Sequence, residues 1–403
     1  MLHSWLAGVR VLDFGQYLPG PGGAQILADF GADVLKVESP KGDPLRALDP
    51  MTGRATTGVS PYYAAINAGK RVIRLDLKSE PGRRAFERLG RAADALIESF
   101  RPGALAGLGF SAEALRALNP RLVHVALSGY GQTGPLARQA GHDLNYLALT
   151  GALAASGTGP EPAIAFPPIA DHASAMHVAL SVLGGLHGRA RTGQGAFVDI
   201  SLAETALGWQ SWGLTAAAGS VPGGAGRQNE QPGADAAGSI VFGASAPRRE
   251  SAMLNGGAGY YRIYRTRDGK FVSLGAIEPV FWRNFCEAIG RPEWVSRHAD
   301  PLPQTALIAE LAAHFATGTR TEWNERFASV DCCYQAVLEY GEVADHAQVA
   351  ARGLVRRVPA GSGVPAHVEV AFAAIVNGAT PPARAPFRDV TAEQALAAWD
   401  GTV

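Results

Sequence analysis

Charge is scarce in this chain of 403 residues. Asp, Glu, Lys and Arg make up 18% of it, against about 25% in an average soluble protein. The 36 basic residues balance 36 acidic ones. With no net charge and no basic run, the chain cannot neutralise a phosphate backbone, which argues against nucleic-acid binding. Cysteine is nearly absent: Cys286, Cys332 and Cys333 are the only three. Chain neighbours such as Cys332 and Cys333 rarely bridge, and no CxxC pair offers a zinc site. We therefore expect a reducing compartment, cytoplasmic in location. The opening stretch MLHSWLAGVRVLDFG lacks the charged-then-apolar layout of a secretory signal. The longest uncharged stretches, such as 205–226, are interrupted by Gln, Ser, Pro and many Gly, so no membrane span is expected. What the chain does have is apolar residues, 47% of the total, enough for a large core. Its length suggests two domains or more. Sparse surface charge also fits burial against another subunit.

The first half alternates apolar runs with helical patterns. Residues 9–14 (VRVLDF), 32–38 (ADVLKVE), 71–77, 95–100, 122–128 and 196–202 read as strands. Helices are expected at 24–31, 80–92, 111–118 and 143–153, and one opening at Asp171 runs to a Thr-Gly-Gln-Gly stop at 192–195. Such alternation predicts an α/β fold with a doubly wound, mostly parallel sheet. Residues 216–259 are rich in Gly, Ala, Ser and Pro and read as a linker or loop. A hairpin at 260–276, turning at Asp268-Gly269, and helices at 280–290, 305–317 and 321–329 then make a smaller α+β domain. The expected division is 1–205 plus 336–403 for the large domain, 206–224 for a linker and 225–335 for the small domain. A last short helix is expected near 391–399, and no internal repeat is visible.

The glycine loop after the first strand invites a dinucleotide reading. The fingerprint is incomplete: Gly20-x-Gly22 is followed by Gln25 where a third glycine belongs. A tight strand-to-helix turn explains the loop as well. His172, His177 and His187 stand 5 and then 10 residues apart, not at the i, i+4 spacing of a helical metal pair, so no metal is assigned.

Four segments carry a more specific signal. They are VLDFGQYLPGPGGAQILADFGADVLKVESPKGDPLR, NAGKRVIRLDLKSEPGR, ESFRPGALAGLGFSAEALRALNPRLVHVALSGYGQTGP and RTGQGAFVDISLAE. In this order the chain resembles the family III CoA-transferases and the α-methylacyl-CoA racemases, which share one fold. The resemblance implies an enzyme acting on acyl-CoA, a large CoA-binding domain and an interlocked homodimer. It implies no cofactor beyond the coenzyme A carried by the substrate.

It also implies site residues. The family's central acid matches Asp171 in PPIADHASAMH, although an aspartate at a helix start is otherwise simply a cap. GHDLNYLALTG resembles the racemases and offers His142. LGAIEPVFW, within a longer racemase-like stretch, offers Glu278 as the support of His142. For CoA itself the candidates are Gln16, Lys70, Arg71 and Arg101, the last three as partners of its phosphates.

Two chemistries follow. Racemisation of a 2-methylacyl-CoA needs an acid/base group on each face of the α-carbon and a stabilised enolate. Histidine titrates near neutrality and serves on one face. A carboxyl raised by burial serves on the other. A CoA-transferase would instead use Asp171 as a nucleophile on the thioester, passing through an aspartyl-CoA thioester. The racemase reading is preferred here. Two departures count against it. His172-Ala173-Ser174-Ala175 replaces the racemases' Phe-Gly-Gly-Gly, and its Cβ atoms are expected to crowd the helix start. Asn255 stands where their corresponding segment has an acid. A nicotinamide oxidoreductase and a non-catalytic subunit are the remaining alternatives.

Overall fold

The apolar runs of the first half assemble into one seven-stranded sheet. The computed structural model describes residues 4–218, 247–361 and 363–400. The chain divides into two units. One comprises Met1–Leu149, Phe166–Ala206 and Ala344–Val403, the other Thr150–Ala165 and Leu207–Val343.

In the first unit the strands are β1 (Arg10–Phe14), β2 (Asp33–Glu38), β3 (Arg71–Arg74), β4 (Ala95–Glu98), β5 (Val123–Ser128), β6 (Ala196–Ser201) and β7 (Arg388–Asp389). They lie in the order β7-β3-β2-β1-β4-β5-β6, and every pairing is parallel. A parallel sheet is covered on both faces, so its inner strands read as unbroken apolar runs rather than alternating ones. β4 and β5 are buried at every position. The order reverses at β1, which has β2 on one side and β4 on the other. In doubly wound sheets ligands bind beyond the carboxyl ends of the strands at such a reversal.

The helices that matter are α1 (Pro19–Asp29), α2 (Pro61–Asn67), α3 (Glu80–Ala92), α4 (Ala112–Leu118), α5 (Asp143–Leu149), α6 (Ile169–Thr192) and α7 (Ala392–Asp400). Ser79 caps α3 by accepting from Gly82 N–H at 3.2 Å. Phe86 and Leu89 on its inner face are fully buried with Leu12, Leu35, Leu96 and Trp399. Each such side chain stabilises the fold by roughly 1.5–3 kcal/mol relative to exposure.

Several expected boundaries move. α1 begins at Pro19, inside the glycine stretch, because proline at the first helical position has its φ already set and lacks a donor the helix would leave unpaired. The glycines then serve packing. A Cβ on Gly23 would stand 2.6 Å from Val178 Cγ1, and one on Gly22 3.1 Å from Ala175 Cβ, so they let α1 lie close against α6. α6 starts at Ile169, so Asp171 stands in its first turn rather than at its cap. The helix expected over 143–153 ends at Leu149, and Gly151, at φ +81°, opens a separate turn of helix at Ala152–Ala155. The linker expected at 206–224 is helical over much of its described part, at Leu202–Gly208 and Ser211–Ala218. Residues 219–246, most of the expected loop, lie outside the described residues.

The second unit holds an antiparallel sheet with Phe271–Gly275 between Tyr261–Arg265 and Tyr334–Ala336. The hairpin turns at Asp268-Gly269, where the glycine takes φ +77°. Trp282, Phe285, Phe315 and Trp323, from the helices Pro279–Ala288, Thr305–Phe315 and Arg320–Phe327, build its core. Among the described residues no helix is long and apolar enough to cross a membrane.

Candidate active site

A cavity of about 1140 Å³ opens at the carboxyl ends of β1, β4 and β5, where the strand order reverses. All its lining residues belong to the first unit. The loop after β1 supplies Gln16 and Tyr17, and the loop after β4 supplies Ser99, Phe100 and Arg101. The two loops are tied together by Gln16 N–H, which donates to Ser99 Oγ at 3.0 Å. Tyr17 takes the left-handed conformation at φ +57° and is held there by Asp43, whose Oδ1 accepts its N–H at 3.3 Å.

A buried charge network secures the first loop from below. Lys36 Nζ donates to Gly15 O at 2.7 Å and pairs with Asp43 at 3.0 Å. Lys70 Nζ gives its three protons to Asp13 Oδ2 (2.9 Å), Pro21 O (2.8 Å) and Asn67 Oδ1 (3.0 Å). Burial brings the Lys70 ammonium down to about 8, against the pull of Asp13. Burial alone would raise the Asp13 carboxyl, but Lys70 and Lys36 together hold it below its usual range.

This corrects two expected phosphate ligands. Lys70 is 1% exposed and has no donor left for a ligand. Arg71 is committed to Asp33 through Nη2 at 2.6 Å and Nε at 3.2 Å, and it is not part of the cavity lining. Gln16 and Arg101 do line the cavity, and Arg101 is exposed with no ion pair among the described residues. The contrast can be measured. Lys70→Met strands a buried carboxylate and should cost on the order of 3 kcal/mol of stability, with little change in CoA affinity per folded molecule. On the expectation that the cavity takes CoA, Arg101→Ala should leave Tm unchanged and weaken CoA binding about tenfold. Thermal melts and calorimetric titration with CoA check both arms.

Other parts of the lining carry a histidine and a carboxyl. His142 precedes α5, is exposed, and lines the cavity. Its backbone N–H donates to Asn145 Oδ1 at 3.0 Å, fixing the turn that presents it. Asp171, in the first turn of α6, lines the same cavity and is half-buried. Asp143, which the sequence reading did not single out, joins the two helices: its Oδ1 accepts Asp171 N–H at 3.1 Å. Burial, then the charge of Asp143, pushes the Asp171 carboxyl up to about 7. Tyr146 also lines the cavity and donates to Gly141 O at 2.6 Å. Burial, then Tyr130, Asp171 and Asp143, brings its hydroxyl up to about 12, so it stays protonated.

The residues after Asp171 do not crowd the site as expected. Ala173 and Ser174 are fully buried and Ala175 is nearly so, with Ala175 turned towards α1. Only His172 of the four lines the cavity. Burial holds its imidazole below the usual histidine range although Asp143 pulls the other way. Glu278 belongs to the second unit, where it is exposed at the start of the helix Pro279–Ala288 and its side chain makes no cap. Among the described residues no cluster of His, Cys, Asp and Glu could hold a metal.

A cavity at the sheet reversal, with one imidazole and one raised carboxyl in its wall, suits proton transfer or acyl transfer on a thioester. Comparisons with known proteins agree with that class. The model of CoA-transferase family III matches residues 6–387. The human α-methylacyl-CoA racemase is 32% identical over 362 residues, 86% of this chain and 81% of its own length. The acetyl-CoA:oxalate CoA-transferase of Acetobacter aceti is 30% identical over 359 residues, 86% of this chain and 84% of its own. The crystal structure of a CAIB/BAIF family protein from Brucella suis superposes with a TM-score of 0.76 at 25% identity, covering 99% of each chain. The chain belongs to CoA-transferase family III and is an enzyme, either a racemase or a CoA-transferase.

Proposed function

We propose that this enzyme racemises the α-carbon of 2-methylacyl-CoA thioesters. The observation that carries the reading is that Asp171, raised to about 7, and His142 line one cavity. A thioester placed between them loses its α-proton to whichever group is unprotonated. The electron pair moves onto the thioester oxygen as an enolate, and the protonated group returns a proton to the other face. A carboxyl near 7 is populated in both states at neutral pH, as this exchange requires, whereas a nucleophile is better served by a fully ionised carboxylate. The steps balance with proton transfers alone and call for no group beyond the coenzyme A of the substrate.

Gln16 and Arg101 are the candidates to hold the CoA moiety, Arg101 through phosphate. Glu278 is the candidate to steady the imidazolium form of His142. The same reading makes the working form an interlocked homodimer, which sedimentation would register as twice the mass of one chain.

The test is incubation of a single epimer of 2-methylacyl-CoA in heavy water. Racemisation with uptake of deuterium at the α-carbon is the expected result, and retention of both configuration and protium would overturn it. A CoA-transferase is the second reading, supported by the room beside Asp171 in a cavity of about 1140 Å³. It requires an Asp171 thioester that hydroxylamine traps and CoA exchange onto a free carboxylate.

A further inference from the structure

Ser128 ends β5 and lines the cavity, yet it is only 6% exposed, and its Oγ is closed to solvent without a hydrogen-bond partner among the described residues. Other hydroxyls at the carboxyl edge of the sheet are engaged. Ser99 Oγ accepts from Gln16 N–H at 3.0 Å. Ser201, in register with Ser128 on β6, donates to Gly129 O at 3.4 Å and accepts Glu204 N–H at 3.2 Å. A buried hydroxyl without a partner is a cost to the fold, and alanine would remove that cost. Its place in the cavity wall supplies a reason to keep it. The next residue, Gly129, lies against Tyr146, where a Cβ would meet the phenol oxygen at 2.7 Å. Tyr146 in turn senses the charge of Asp171. Ser128 therefore adjoins the wall that carries the acid/base groups.

We propose that Ser128 Oγ donates a hydrogen bond to a carbonyl oxygen of the bound CoA thioester. This inference rests on the reading of the cavity as a CoA-thioester site. Rotation about χ1 between staggered wells gives the hydroxyl other directions, and the residue already lines the cavity. The acceptor is either the thioester carbonyl, which gains charge as the α-proton leaves, or an amide carbonyl of the pantetheine arm.

Calorimetric titration of Ser128→Ala with acetyl-CoA, and with a thioether analogue that lacks the thioester carbonyl, separates these sources. Loss of a thioester contact weakens acetyl-CoA about tenfold and leaves the thioether unchanged, and α-proton exchange shows a lower kcat. Loss of an amide contact weakens both ligands alike and raises KM at constant kcat. In either case Tm stays level or rises, and Ser128→Thr, which keeps the hydroxyl, restores affinity. The assignment is overturned if Ser128→Ala binds both ligands as the unaltered enzyme does with unchanged kinetics, or if it loses affinity only in step with a fall in Tm. If the unaltered enzyme binds neither ligand, the CoA-thioester reading falls along with it.

Discussion

Asp171→Asn should lower the racemisation rate by about 10²–10⁴-fold and at the same time make the protein harder to melt. On the racemase proposal the first effect follows from removing the proton carrier on one face of the α-carbon. The second follows from linkage. The folded carboxyl titrates at about 7 against an ordinary value of 3.8, so the folded state holds a proton that the unfolded chain releases between those values. Its contribution to stability is complete below pH 4 and is lost as pH rises through 7. Asparagine does not titrate, so the Tm of the variant should draw ahead between pH 4 and pH 7 and keep its lead above that. Scanning calorimetry across this range checks the sign. A gap that shrinks with rising pH would contradict the burial of the Asp171 carboxyl.

His142→Ala should cost as much in racemisation, but with a different residue of activity. With Asp171 as the only carrier left, one epimer should still exchange its α-proton for deuterium and keep its configuration, while the other should be inert. In Asp171→Asn the same proposal expects the roles of the epimers to be reversed, with His142 left to work alone on the other face. Proton NMR of each epimer in heavy water reads this directly. Equal exchange of both epimers in either variant would mean that the two groups do not flank one carbon. The pH profile carries the same logic. Racemisation needs the pair to hold a single proton, so kcat/KM should fall at both low and high pH. A transferase needs only the ionised Asp171, so its rate should fall below pH 7 and stay level above it.

Much of this was legible from local pattern. Strand-like runs such as LIE and VHVALS lie in inner strands covered on both faces, so apolar character alone marked them. The start of α1 was not legible in that way, because Pro and Gly signal a turn and a first helical turn equally well until α6 is packed against them. Site residues divide along the same line. His142, Asp171 and Arg101 could be picked from segments that resemble the family, and they line the cavity. Asp143 and Ser128 could not be picked out. Their roles depend on Asp171 N–H, 28 residues from Asp143, and on which hydroxyls find partners once the sheet has formed.

By itself the sequence determined the order of the parallel strands' building blocks, the absence of a metal spacing among its histidines, and membership of CoA-transferase family III. All of these reside in residue type and chain order. Tertiary structure decided which charged groups face a ligand. Lys70 and Arg101 look alike in the chain, but Lys70 spends its protons inside, on an aspartate 57 residues away, while Arg101 stands at the cavity with no ion pair among the described residues. It also decided that Ala173 and Ala175 are buried away from the cavity lining and that burial raises the Asp171 carboxyl to about 7. The reason is that burial and the distance between charges set the free energy of an ionised group, and both are fixed only when residues remote in sequence pack together.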